Sequence, residues 1–179
     1  MIFLLEGQET ARILFRQVRR TDFNNWLPFF KEPKAWEHWI CERKDPEIAC
    51  QEWYEKQLYR YRYDQGGMNA LIEKSTGQLI GHCGLLVQNV DDISELEIAY
   101  SLLPSYWGQG FASEASRKCR DFAFANRWSS SLVSIISMTN RASQQVAINN
   151  GMRVDKTTVY KQNPVQIYRI HHEEWLGLM

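Results

Sequence analysis

An excess of charge of either sign is missing from this 179-residue chain: 21 Lys and Arg face 21 Asp and Glu, for a formal net charge of zero. That balance supplies no field to hold a nucleic acid or another polyanion. Long apolar runs are missing too. Nothing approaches the roughly 18 consecutive apolar residues of a membrane helix, and the opening "MIFLLEGQE" lacks the basic start and long apolar stretch of a secretory signal. The chain is therefore expected to act in the cytoplasm, without a membrane partner. Cysteine is scarce. Cys41, Cys50, Cys83 and Cys119 are scattered with no C-x-x-C pair, and His38, His82, His171 and His172 show no metal-ligand spacing. Free thiols in a reducing compartment and no metal site are the expectation. His82, inside a strand-like run, is expected to be a hydrogen-bonded and partly buried side chain. Repeats and low-complexity linkers are absent, so residues 1–179 are read as one domain, long enough to bury roughly 70% of the surface of its unfolded form.

The patterning that is present gives a mixed order of elements. "ILFRQV" alternates apolar and polar residues, which predicts a strand. Thr21 is then expected to cap a helix through about Phe30, and Pro46 to open a second one, on which Cys50, Trp53, Gln57 and Tyr61 share a face. "MNALIEK" and "QLIGHCGLLVQ" flank Ser75-Thr76-Gly77 as a hairpin. After Asp91-Asp92, "SELEIAYSLL" points Leu96, Ile98, Tyr100 and Leu102 one way and Glu95, Glu97 and Ala99 the other, until Pro104 ends the ladder. A helix over about 110–126 carries Phe111, Ala115, Cys119 and Phe122 as an apolar stripe. The β-branched "SLVSIISM" predicts a strand, "NRASQQVAINNG" a short helix stopped by Gly151, and the runs around Asn163-Pro164 a closing hairpin. The total is about seven strands and four helices in a mixed, mostly antiparallel sheet of α+β class.

Between a strand and a helix stands "WGQGFASEA". Glycine lets a ligand approach the main chain closely, and a helix start leaves N–H groups without partners at the positive end of its dipole. An anion cradle at residues 108–113 follows. It is not a P-loop, since no Gly-Lys-Ser/Thr is present, and the missing third glycine argues against a dinucleotide fold.

The whole order, with "ELEIAYSLLPSYWGQGFASEA" at its centre, resembles the GNAT superfamily of acyl-CoA N-acyltransferases, and within it the RimJ/RimL-like ribosomal-protein N-acetyltransferase branch, whose corresponding segment runs "EIGYWL-P-YWGKGYATEA". "RILFRQVRRTDFNNWLPFF", "TNRASQQVAINNGMRV" and "YRIHHEEW" resemble that branch's first strand and helix, its Asn-containing helix and its closing strand. The resemblance implies acetyl-CoA as co-substrate. Its pyrophosphate would lie on the main chain of Gly108, Gln109, Gly110, Phe111, Ala112 and Ser113, with Trp107 standing where the family pattern has Gln or Arg. Its pantetheine arm would run along Ile98, Tyr100 and Leu102, with Asn140 bonding to it.

The same resemblance implies direct transfer to an amine in a ternary complex. Glu97 is read as the base that takes the amine proton, with Glu95 as its alternative, and Ser143 as the acid that protonates the departing thiolate. Against these stand ordinary roles: a solvated strand-face carboxylate for Glu97, a helix N-cap for Asn140 and a first-turn residue for Ser143. A main-chain N–H near 100–102 would hold the oxyanion. The acceptor groove would involve Trp36, Trp39, Trp53 and Tyr61, unless these are core, and an acidic patch of Asp91, Asp92, Glu95 and Glu97 would favour a cationic amine. A protein N-terminal α-amine is the expected acceptor; a small-molecule amine such as a polyamine, amino acid or antibiotic, or a CoA-binding sensor without turnover, are the alternatives. The oligomeric state is expected to be a monomer or a homodimer.

Overall fold

A computed structural model describes residues 3–40 and 42–178. Its seven strands are β1 (Ile13–Gln17), β2 (Gly66–Glu73), β3 (Leu79–Val90), β4 (Ile93–Leu102), β5 (Ser131–Ser137), β6 (Arg153–Tyr160) and β7 (Asn163–His171). They form one sheet in the order β1-β2-β3-β4-β5-β7-β6, antiparallel throughout except between β4 and β5. Five α-helices flank it: α1 (Phe23–Lys31), α2 (Pro46–Arg62), α3 (Phe111–Ala125), α4 (Arg141–Asn149) and α5 (His172–Leu176).

The mixed α/β architecture and its strand count match the expectation, whereas the helix count is five rather than four. The closing run does not stay extended. The Glu174 carboxylate accepts the His171 N–H at 2.9 Å, which turns the chain into α5 at His172. The first helix also starts later than Thr21. Asp22 accepts the Arg19 N–H at 2.9 Å and both terminal nitrogens of Arg16 at 2.7 Å, so residues 20–22 form a tight 3-10 turn before α1 begins. Asp45 caps α2 by accepting from the Glu47 and Ile48 N–H groups, with Pro46 in the first turn.

Strand alternation divides the core between the two faces of the sheet. One face packs Phe15, Leu85, Leu96, Ile98 and Leu102 against Phe111, Ala115, Cys119 and Ala123 of α3. Cys83 and Cys119 meet there with their sulfurs 3.5 Å apart, both fully buried free thiols. Cys41 lies outside the described residues. The other face takes Trp26, Phe30, Cys50, Tyr54 and Tyr61 from α1 and α2. Each such fully buried side chain stabilises the fold by about 1.5–3 kcal/mol. The β3–β4 turn has positive φ at both Asp91 and Asp92, 51° and 62°, the left-handed backbone of a two-residue hairpin turn that short polar side chains tolerate.

Candidate active site

The glycine loop ends β4 and opens α3. Gly108 and Gly110 sit at φ +73° and +81°, a region that L side chains avoid, and Gly110 is the residue preceding α3. The loop's own main-chain bonds stop at the Trp107 N–H, which donates to Pro104, and resume at the Glu114 N–H, which donates to Gly110. Among the described residues, the amides of 108–113 have no protein acceptor. Six N–H groups at a helix start, turned out of the protein's own bonding, are free to receive an anion. The side chains of the loop serve to shape it. The Trp107 indole donates to the Leu102 carbonyl at 2.8 Å and the Gln109 amide to the Ser105 carbonyl at 2.7 Å. Arg12, ion-paired to Glu114 at 2.6 Å, braces the rim: it bonds to the Gln109 carbonyl at 3.1 Å and its guanidinium lies 4.1 Å from the Phe111 ring centre.

Beside the loop the sheet opens. β4 and β5 pair at a single position, Glu97 opposite Val133, and beyond it toward Leu102 they part. Main-chain groups of β4 are exposed in this fork, but not all are available. The Ile98 carbonyl accepts the Ser134 hydroxyl at 2.8 Å and the Leu102 carbonyl is taken by Trp107. The stretch open to a linear ligand is thereby centred on Tyr100. Its hydroxyl reaches across to the Ser143 carbonyl at 2.8 Å, and burial raises its pKa. Asn140 spends its side-chain oxygen on the Ser143 N–H at 3.0 Å, the N-cap bond of α4, which leaves its NH2 for anything lying in the fork.

Glu97 stands at the crotch of that fork, 8% exposed. Burial raises its pKa above the ordinary carboxylate range, against the opposing pull of Gln88, the Ile135 N–H, Arg60 and Lys161. Gln88 donates to it at 2.7 Å. The direction of that amide is fixed, because its oxygen accepts from Arg60 and from the Tyr160 hydroxyl, each at 3.0 Å. Glu95, the alternative base, is committed elsewhere. Arg169 grips it with two nitrogens at 2.6 and 3.0 Å.

Two expectations about the acceptor side are corrected. The acidic patch is neutralised: Asp91 bonds to Lys156 at 2.7 Å and to Thr158 at 2.9 Å, Glu95 to Arg169, and Glu97 is buried. His82 is neither partly buried nor hydrogen-bonded. It is fully buried beside the rings of Trp26, Trp53 and Tyr54, neither nitrogen has a hydrogen-bond partner among the described residues, and burial drives its pKa down to about 3. The four aromatic candidates divide. Trp36 and Trp53 line a cavity of about 410 Å³ between α1, the following loop and α2. Tyr61 is core, accepting the Val18 N–H and donating to the Met68 carbonyl, and Trp39 packs against the small cluster of Val90, Val133, Ile135, Val165 and Ile167.

The fold and this arrangement meet in one family. The acetyltransferase (GNAT) domain model matches residues 12–153. The chain belongs to the GNAT family. A Bacillus subtilis relative, YkkB, is 34% identical over 96 residues, 54% of this chain and 56% of that protein. The matches to the first two curated relatives span 56% and 60% of those proteins' lengths. Among solved GNAT-like folds, an acetyltransferase from Agrobacterium tumefaciens is similar with a TM-score of 0.79 at 24% identity, covering 96% of this chain and 97% of that one. A ribosomal-protein alanine acetyltransferase from Vibrio fischeri has a TM-score of 0.73 at 14% identity, covering 95% and 98%. Spermidine N-acetyltransferase from Vibrio cholerae, in complex with CoA and spermine, has 0.73 at 15%, covering 93% and 99%. The fold is thus shared with enzymes named for two different kinds of acceptor.

Sequence reasoning missed Gln88, Arg60, Tyr160 and Arg12. The hairpin register offered a signal for the first, since Gln88 pairs with Glu95 and lies two residues from the partner of Glu97. Arg60, Tyr160 and Arg12 come from segments whose approach only the folded chain reveals.

Proposed function

We propose that this GNAT protein is an N-acetyltransferase that moves the acetyl group of acetyl-CoA directly to a primary amine, in the manner of the RimJ/RimL-like branch, with a protein N-terminal α-amine as acceptor. The observation that carries the reading is the place of Glu97: a buried carboxylate of raised pKa at the one rung where β4 and β5 meet before the fork. A thioester laid in the fork from the amide cradle arrives beside this base.

Each residue then has one task. The N–H groups of 108–113 hold the pyrophosphate, and Arg12, paired to Glu114, braces the loop through the Gln109 carbonyl. Asn140, through its NH2, and the main chain around Tyr100 hold the arm. The amine nitrogen attacks the carbonyl carbon as Glu97 takes its proton, directly or through one water. The carbon–sulfur bond breaks, the Ser143 hydroxyl in the first turn of α4 passes a proton to the thiolate as it regains one from solvent, and Glu97 gives up the amine's proton to solvent. An α-amine with a pKa near 8 is roughly a tenth unprotonated at pH 7, against about one part in 2,500 for a lysine side chain, so a single carboxylate suffices for it.

The test is Glu97→Gln assayed by thiol release with peptide acceptors. The expected result is a fall in kcat of about 10²–10³-fold with the KM for acetyl-CoA unchanged, and loss of the rising limb of the pH profile. An unaltered profile and turnover overturn the assignment.

A further inference from the structure

The cavity beside the site has a charge of its own. Lys31, Arg43, Lys44 and Lys56 line it with only Glu42 and Glu52 among carboxylates, in a chain whose net charge is zero. Lys44 is occupied by Glu52 at 2.7 Å. Lys31, Arg43 and Lys56 form no ion pair among the described residues, and Phe30, Trp36 and Trp53 supply an apolar wall. One helix ties this cavity to the chemistry. Ala49, Trp53 and Lys56 of α2 face the cavity, and Arg60, one turn further, bonds to the Gln88 that holds Glu97. Lys56 is itself within electrostatic reach of Glu97.

Resting on the acetyl-transfer reading, we propose that this cavity selects acceptors by a carboxylate: a peptide N-terminus with Asp or Glu at its second or third residue. The spacing sets the position. From Arg60 back to Lys56 and Trp53 is four to seven residues of helix, roughly 6–10 Å at 1.5 Å per residue. An extended peptide covers that span in two to three residues. A free amino acid holds its carboxylate too close to the amine to bridge it, and a polyamine would set its remaining ammonium groups against Lys31, Arg43 and Lys56. The cavity volume of about 410 Å³ suits a short peptide segment.

The test uses the full chain and C-terminally amidated peptides, so that the only carboxylate is the one under trial. Ala-Ala-Asp-amide is compared with Ala-Ala-Lys-amide, with a longer peptide of the same acidic start, and with spermidine. Two readouts run side by side: thiol release from acetyl-CoA, and quenching of tryptophan fluorescence, since Trp36 and Trp53 form the cavity wall. The acidic peptide is expected to exceed its lysine counterpart by about tenfold in kcat/KM, through KM, and by a similar factor in binding. Arg43→Glu and Lys31→Glu are each expected to erase the preference while leaving the KM for acetyl-CoA in place. A longer acidic peptide that outperforms the tripeptide points to protein N-termini as the source; equality points to free short peptides, and both results keep the carboxylate rule. Equal binding of acidic and basic peptides, or preference for lysine or spermidine, overturns it. Selective binding of the acidic peptide with no thiol release from any acceptor leaves the cavity assignment standing and removes the transferase reading instead.

Discussion

The two ends of the site are made of different material. The anion cradle is main chain: six amides, two glycines in the left-handed region and a helix start, with side chains only bracing the loop. The proposed acceptor end is side chain: Glu97, Gln88, Arg60, Tyr160 and a basic cavity, drawn from β4, β3, α2, β6, α1 and the loop after it. Backbone geometry written in a few consecutive residues changes little when neighbours change. A constellation gathered from six segments can be retuned one residue at a time, which suits a fold shared by enzymes with different acceptors.

That contrast can be broken first at Gly110. Valine there must adopt φ near +81°, a conformation that costs a β-branched residue about 2–3 kcal/mol. Gly110→Val is expected to weaken acetyl-CoA binding roughly a hundredfold by calorimetry, while peptide quenching at the cavity stays as it was. Equal damage at both ends would show that the two are not separable.

A smaller effect belongs to the aromatic floor beneath the cavity. His82 is held neutral, with its pKa at about 3, by burial, with Asp22 opposing and Arg16 reinforcing the shift. The unfolded chain takes up the proton near pH 6.5, so stability is present above that value and is lost as the pH falls from about 6.5 toward 3. Between pH 7 and pH 5 the loss from this group is about 2 kcal/mol. His82→Phe is expected to flatten the acid side of a denaturant-stability profile by that amount. A profile as steep as the parent's would count against it.

Smallest is the change expected at Gln88, which acts only by positioning Glu97. Removing its donated bond leaves the carboxylate less stabilised in its charged form, so its pKa rises further. Gln88→Leu is expected to move the midpoint of the kcat profile upward by roughly one pH unit. A merely structural role would lower activity without moving that midpoint.

Legibility in the sequence follows the same divide. The succession of elements along the chain, the faces of β4 and the glycine loop could be read because each is a local pattern of period two, of period 3.6 or of special backbone residues. Aromatic roles could not. Trp53 and Tyr61 lie eight residues apart on one helix, yet one lines the cavity and the other bonds to β2 deep in the core, a choice made by what α2 packs against. Counting Asp91 and Glu95 as a charged patch failed for a related reason: Lys156 and Arg169, which neutralise them, arrive from β6 and β7, some 65–74 residues later. His82 read as an ordinary partnered histidine because nothing in "LIGHCGLL" announces three rings closing over it.

A sheet whose fourth and fifth strands share a single rung is in effect two leaves, β1–β4 and β5–β7, joined elsewhere by side chains: Arg169 on Glu95, Tyr160 on Gln88, Lys156 on Asp91 and Ser134 on the Ile98 carbonyl. Whatever lies between the leaves and bonds to both edges stands in for the missing rungs. Its concentration then sets how much stability the native fold gains, and melting temperature becomes a gauge of occupancy.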